Sequence, residues 1–278
     1  MFEETNKTAW CPGCGNFPLR TALKDALNEL ELKPEEVAMF TGIGQAAKMP
    51  HYLNINGFNG LHGRSFPPAV GMRIANHKIK VIVESGDGCS YGEGGNHILH
   101  NIRRNPDLVQ LVHDNQIYGL TKGQASPTTE ASLKTKVQPN GVNAEPLNPI
   151  KFALSMGASF VARGFVGDRE HLSNLIKEAM NHRGYALIDI LQPCVSFNKL
   201  NTYKWYSKRV KKMEDHDSSD YYQALKLSEK WGEEIPIGVF YKEEKQTFRD
   251  RLSHLDDTPL VDKDTNLNEM KDLMKEFK

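Results

Sequence analysis

With 278 residues and 39% hydrophobic side chains, the chain is long enough to bury a core, as one large α/β domain or a domain with an appendage. Lys plus Arg equals Asp plus Glu, so there is no global field to gather nucleic acid or an anionic membrane surface. No run of about 18 apolar residues occurs, and the opening MFEETNKTAW lacks a secretory signal's apolar stretch, so the expectation is a cytoplasmic protein with no membrane or nucleic-acid partner.

The first element in chain order is Cys11-Pro12-Gly13-Cys14. With only two more cysteines, Cys89 and Cys194, a disulfide scaffold is excluded at this length, and the pair reads as metal-ligating or redox-active. Leu19, Leu23, Leu27 and Leu30 recur at helical spacing, which predicts an amphipathic helix over about 16–31. Val37 to Thr41 is a short apolar strand running into Gly42-Ile43-Gly44. Residues 66–77 read as a helix with prolines at its entrance, where a missing N–H does no harm. A strand over 80–84 stops at Gly86-Asp87-Gly88, a helix follows over about 93–104, and 108–113 is the next strand.

Residues 121–149 have little periodicity and form a long loop, the kind that in compact domains is functional or mobile. Asn148-Pro149 caps and opens a helix to about 155. Residues 168–183 form a further helix, and 185–191 a strand leading to Pro193-Cys194. The pattern changes after Asn201, with weak strands and helices near 217–230 and 266–277. The expected division is therefore 1–200, a main α/β domain, and 201–278, a tail that packs on a partner. Strands alternating with helices imply a mostly parallel sheet covered on both faces, with ligands beyond the strands' carboxyl ends. The loops 42–48, 86–92, 114–124 and 192–198 should all lie at that edge.

Asp87 is flanked by glycines that permit a tight turn and close backbone approach to an anion. Asn115 ends the next strand, 28 positions later. A hard divalent cation takes oxygen ligands from carboxylates and amides, with phosphate oxygens completing its shell. A carboxylate and an amide at neighbouring strand ends suit one ion, and the helix between them would direct its N-terminus at a diphosphate. Gly-Asp-Gly alone is a common turn; the pairing with Asn115, strand before and helix after, is what makes it a candidate site.

These residues match the thiamine-diphosphate motif. Together with Trp10-Cys11-Pro12-Gly13-Cys14-Gly15, His62-Gly63-Arg64, Gly94-Gly95-Asn96-His97, Tyr118-Gly119-Leu120-Thr121-Lys122-Gly123-Gln124 and Pro193-Cys194, they place the chain in resemblance to a family. From about Trp10 to Phe197 it resembles the β subunit of two-subunit 2-oxoacid:ferredoxin oxidoreductases. The resemblance implies the thiamine-diphosphate-binding α/β fold and Mg²⁺ held by Asp87, Asn115 and the carbonyl of Ile117. It implies cofactor contacts from Gly42, Ile43, Gly44, His62, Gly86, Gly88, Tyr118, Gly119 and Leu120. His62 and Arg64 would approach the cofactor. Lys48, Leu120 and Lys122 would bear on which substrate fits, with 2-oxoglutarate or pyruvate in view.

The carboxylate that activates the cofactor would come from the α subunit in an αβ or (αβ)2 assembly, with coenzyme A as co-substrate and ferredoxin as acceptor. The resemblance also implies a [4Fe–4S] cluster on four thiolates, of which Cys11, Cys14 and Cys194 match three. Gln45 stands at the fourth place, and an amide is a poor iron ligand beside a thiolate. Cys89 either supplies the missing ligand or is a small buried residue beside the cofactor. The cluster is thus expected with Cys89, Gln45 or an exogenous ligand, or as a three-iron form, or is absent with the cysteines holding zinc or nothing. Two other functions fit parts of this pattern: a non-redox thiamine-diphosphate decarboxylase subunit, and an iron–sulfur or zinc interaction module in which Gly-Asp-Gly is only a turn.

Overall fold

The computed structural model describes residues 1–131, 133–264 and 267–277. Strands β1 (Val37–Thr41), β2 (Asn56–Asn59), β3 (Lys80–Gly86), β4 (Leu108–Asp114), β5 (Phe160–Phe165), β6 (Tyr185–Leu191), β7 (Val210–Lys212) and β8 (Ile235–Lys242) form one sheet in the order β2-β1-β3-β4-β6-β5-β8-β7. Every pairing is parallel except β5 with β8. The helices are α1 (Asn16–Glu29), α2 (Phe66–Ala75), α3 (Gly95–Arg104), α4 (Pro149–Ser155), α5 (Arg169–Asn181), α6 (Tyr203–Ser207), α7 (Tyr221–Ser228) and α8 (Leu267–Lys275).

Side chains alternate across each strand, so neighbours on β3 go to opposite layers. Ile82 joins Leu111 and Ile188 under α1 and α5, packed on Leu19, Leu23, Leu172 and Ile176. Val81 and Val83 join Leu187 on the other face, under Ile98 and Ile102 of α3 and Ile150 and Leu154 of α4. A helix layer therefore covers each face, as the near-continuous apolar strands require. The expected Asn148 cap is present, with Asn148 Oδ1 accepting from Lys151 N at 3.0 Å.

Some boundaries differ from expectation. The second helix stops at Ala75, the tail helix near 217–230 is confined to α7, and residue 266 of the last one lies outside the described residues. β2 and β5 have no counterpart in the sequence expectations. β5 reads FVARGF, and the arginine in its middle breaks the apolar run that would mark a buried strand. The tail contributes β8, which lies beside β5, and β7, which closes the sheet edge. Among the described residues no helix is long and apolar enough to cross a membrane.

Beneath the loop that joins α5 to β6, His182 Nε2 meets Ser159 Oγ at 2.9 Å. Burial lowers the imidazole from 6.5 to about 4. The unfolded chain thus takes up this proton first as pH falls, and stability is lost between those two values. We expect the stability difference between the protein and His182→Gln to shrink by roughly 1–3 kcal/mol between about pH 7 and about pH 4.5. Urea unfolding at both values checks this, and a difference constant with pH refutes it.

Candidate functional site

The parallel strands β1, β3, β4 and β6 end at one edge, and their loops meet there. β3 ends at Gly86, and Asp87 opens a π-helical turn, Gly88–Glu93, that runs into α3. Such wide turns recur at functional sites. A Cβ on Gly88 would lie 2.3 Å from Tyr118 Cε1, so this glycine admits the Tyr118 ring as well as a tight turn. The Tyr118 hydroxyl reaches Gly88 O at 3.1 Å and Glu93 Oε1 at 3.3 Å, joining the two strand-end loops.

Asp87 is 1% exposed. Its Oδ2 accepts from Ser126 Oγ at 2.5 Å and Thr128 Oγ1 at 2.7 Å. Burial nevertheless pushes this carboxyl group above its usual range, with the hydroxyls acting in the opposite sense. An ionised carboxylate in such a place calls for a cation. Across the cavity, Asn115 Oδ1 accepts from Ile117 N at 3.0 Å, around a left-handed Gln116 (φ +59°). Asn198, on the loop after β6, donates to Asn115 O at 3.3 Å. A carboxylate, a side-chain amide and a backbone carbonyl form a hard oxygen donor set, which fits a magnesium ion.

Asp87 and Asn115 line a cavity of about 50 Å³ together with Ile117, Ile43, Gly44 and His62. Gly86, Gly88, Tyr118, Gly119 and Leu120 complete much of its wall, along with Gln45 and Cys89. Ligand pockets usually reach ~300 Å³ or more. This cavity is therefore smaller than a usual ligand pocket. Gly42 lies just outside, where a Cβ would come within 2.3 Å of Cys89 Sγ. Besides Gly42, three expected residues do not line this cavity. Lys48 is half-buried on the short helical turn Ala46–His51. Arg64 is exposed in a separate groove with Phe58, Leu61 and His97. Lys122 is exposed, in left-handed conformation (φ +72°), at the turn between Tyr118 and Gln124.

The cysteine loop packs on the segment after β6: Ser196 Oγ donates to Cys11 Sγ at 3.1 Å, and a Cβ on Gly15 would meet Gln192 Cγ at 2.3 Å. Burial pushes the Cys14 thiol up to about 11, and the nearby charges of Cys194 and Cys11 push the same way. Trp10 Nε1 donates to Gln45 O at 2.8 Å, which ties the loop after β1 to this group, and Gln45 Oε1 is buried without a partner. Cys89 sits elsewhere, 3% exposed, with its sulfur accepting from Gly63 N at 3.2 Å in the wall of the Asp87 cavity. Among the described residues no three or more His, Cys, Asp or Glu side chains are arranged around a metal position.

Several site residues escaped the sequence reading. Ser126 and Thr128 come from the long loop, where hydroxyl-rich sequence gives no sign of which strand end it will reach. Glu84 and His113 form a fully buried pair at 2.5 Å, and His113 Nδ1 faces Asn16 Oδ1 at 2.9 Å. The amide oxygen only accepts, so Nδ1 carries a proton. Gln192 Nε2 donates to the same oxygen at 2.8 Å, so one buried chain links the cysteine-loop helix to β3, β4 and the end of β6.

Residues 38–190 match the thiamine pyrophosphate enzyme C-terminal TPP-binding domain, and residues 194–257 match the C-terminal region of the pyruvate ferredoxin oxidoreductase β subunit. The chain is 42% identical over 273 residues to the 2-oxoacid:ferredoxin oxidoreductase subunit β of Saccharolobus solfataricus, covering 91% of this chain and 90% of that one. It is 33% identical to the 2-oxoglutarate synthase subunit KorB of Methanocaldococcus jannaschii, covering 88% and 92%. A solved structure of 2-oxoglutarate:ferredoxin oxidoreductase from Magnetococcus marinus, with 2-oxoglutarate, coenzyme A and succinyl-CoA bound, superposes with a TM-score of 0.86. It is 34% identical and covers 99% of this chain and 89% of that one.

Proposed function

The chain belongs to the β subunits of the 2-oxoacid:ferredoxin oxidoreductases, and from that premise we propose how its residues serve the reaction. This membership sets aside the non-redox decarboxylase and the interaction module. The reaction is the coenzyme-A-dependent oxidative decarboxylation of a 2-oxoacid with ferredoxin as acceptor. The observation that carries the assignment of the site is the meeting of Asp87, Asn115 and Ile117 in one cavity at the strand ends.

When bound, thiamine diphosphate supplies the electron sink that lets a 2-oxoacid lose carbon dioxide. Asp87, Asn115 Oδ1 and the Ile117 carbonyl hold the magnesium that neutralises the diphosphate. Gly86 and Gly88 keep the backbone bare at that turn, and His62 donates to a phosphate oxygen from the cavity wall. Arg64, outside the wall, acts from the neighbouring groove. Asp87 is the only acid lining the cavity among the described residues, in keeping with the resemblance's implication that the carboxylate activating the pyrimidine ring comes from an α subunit. Half-buried Lys48, on the turn that follows Gly44, favours a dicarboxylate, 2-oxoglutarate before pyruvate, with Leu120 and Lys122 at the mouth. Cys11, Cys14 and Cys194, the cluster ligands that the resemblance implies, would hold an iron–sulfur group between the cysteine loop and the loop after β6, although their thiols are not gathered around one metal position in this structure. Gln45 stands in sequence where the resemblance has the fourth thiolate, and its amide oxygen is buried without a partner, while Cys89, in the wall of the Asp87 cavity, is assigned to the diphosphate side. The tail packs on a partner through α8, where Met270, Leu273 and Met274 are exposed, and through Phe277 just beyond it. A cytoplasmic location completes the proposal.

Anaerobic co-purification with the α subunit tests it. We expect bound thiamine diphosphate, magnesium, iron and sulfide, and ferredoxin reduction that needs both a 2-oxoacid and coenzyme A, fastest with 2-oxoglutarate. Thiamine diphosphate without iron would overturn the cluster assignment, and metal without thiamine diphosphate would overturn the site.

A further inference from the structure

We propose that the segment Ser126–Thr129, in the long loop between β4 and α4, is a clamp that positions both halves of the magnesium site. Ser126 Oγ and Thr128 Oγ1 both land on one oxygen of Asp87, Oδ2, at 2.5 and 2.7 Å. Thr128 Oγ1 also lies 2.7 Å from Asp114 Oδ1, and its one proton serves one carboxyl group at a time. Turning the Asp87 group therefore breaks the Ser126 bond and the contact to Thr128, and Oδ1 receives neither hydroxyl. On the other side, Thr129 Oγ1 donates to Gln116 O at 2.6 Å. Gln116 is the left-handed residue between Asn115 and Ile117, so this bond fixes the backbone from which both of those oxygens project. The segment is itself braced: Ser126 N donates to Thr129 Oγ1 at 2.7 Å, and Leu147 N donates to Pro127 O at 2.8 Å. Ser126, Thr128 and Thr129 are all buried.

Four consecutive residues thus span from the end of β3 to the end of β4 and set the separation of the two donor groups. These are positioning residues: they touch metal ligands, not metal or substrate. Groups that hold ligating carboxylates usually change metal affinity by roughly 10- to 100-fold when removed. The role rests on the assignment of Asp87 as a magnesium ligand.

The test uses the complex with the α subunit, stripped of metal and titrated with magnesium at fixed thiamine diphosphate, with cofactor binding read by fluorescence or retention. In Thr128→Val the magnesium concentration for half-maximal binding should rise roughly 10- to 100-fold. The loss should be recovered by raising magnesium, and Thr128→Ser should restore the original titration. Ser126→Ala serves as a second variant should valine disturb folding, and should move the titration in the same direction. A drop in apo thermal stability in both variants with an unmoved magnesium titration overturns the clamp. An Asp87→Asn complex titrated in parallel separates the two failures. If it too leaves the magnesium dependence unmoved, the magnesium assignment itself has failed.

Discussion

Asp87→Ala should lose magnesium-dependent thiamine diphosphate binding, by more than about 100-fold, while the folded chain survives. The Asp87 side chain is the only acid in the cavity wall among the described residues, since Asn115 and Ile117 supply neutral oxygens. Without it the metal loses its anionic protein ligand and is left with neutral oxygens and the diphosphate alone. Stability should respond in the opposite sense. Burial already pushes the Asp87 carboxyl above its usual range, so the empty protein bears the cost of holding it. The hydroxyls left behind have other partners in reach, Ser126 Oγ lying 3.2 Å from Thr129 Oγ1. Equilibrium dialysis of the complex and a melting curve read the two effects separately. Cofactor binding retained at its original magnesium dependence would sink the assignment.

Arg163→Ala should destabilise the protein by about 3–5 kcal/mol, the cost of breaking one partner out of a buried ionic group. Arg163 is 1% exposed in β5 and lies opposite Asp189 of β6, with Nε 3.8 Å from the carboxylate. Its guanidinium stacks 5.5 Å from the Trp231 ring and 5.3 Å from Phe240. Burial works against both charges: it lowers Arg163 and raises Asp189 to about 6, despite their mutual attraction. Desolvation therefore outweighs attraction, and the pair is not a source of stability by itself. Removing the cation alone leaves Asp189 beside Asp114, which burial and the Asp189 charge already push well above the carboxylate range.

The pH dependence follows from that order. Asp189 is raised to about 6 with Arg163 beside it, and losing that cation raises it further. The gap between the protein and Arg163→Ala therefore grows as pH rises above about 6 and is smallest below it. Urea unfolding of the protein and the variant should show a gap near neutrality that narrows on the acid side. A gap below about 1 kcal/mol at neutral pH would show that the cation is not holding this cluster together.

Much of this protein is readable along the chain because the relevant physics is local. Helical spacing of Leu19, Leu23 and Leu27 marks α1, apolar runs mark β1, β3, β4 and β6, and Asn148 followed by proline marks the start of α4. Parallel connections send the carboxyl ends of those strands to one edge, so the loops carrying Gly86-Asp87-Gly88, Asn115, Gly42-Ile43-Gly44 and Cys194 could be gathered before any coordinates. What the chain could not disclose was contact between distant segments. β5 hid behind Arg163, because a charged residue is buried only if a partner waits on another strand, and Asp189 lies 26 positions on. The clamp of Ser126, Thr128 and Thr129 depends on where a loop without periodicity comes to rest. Cys89 was equally open between two loops until its sulfur was found at Gly63 N, in the cavity wall. Sequence alone thus determined most of the element types and which loops meet at the strand ends. Tertiary structure decided which hydroxyls lie on Asp87, which charges are buried together and which cavity wall Cys89 lies in. Those are questions of distance in space, which spacing along the chain does not encode.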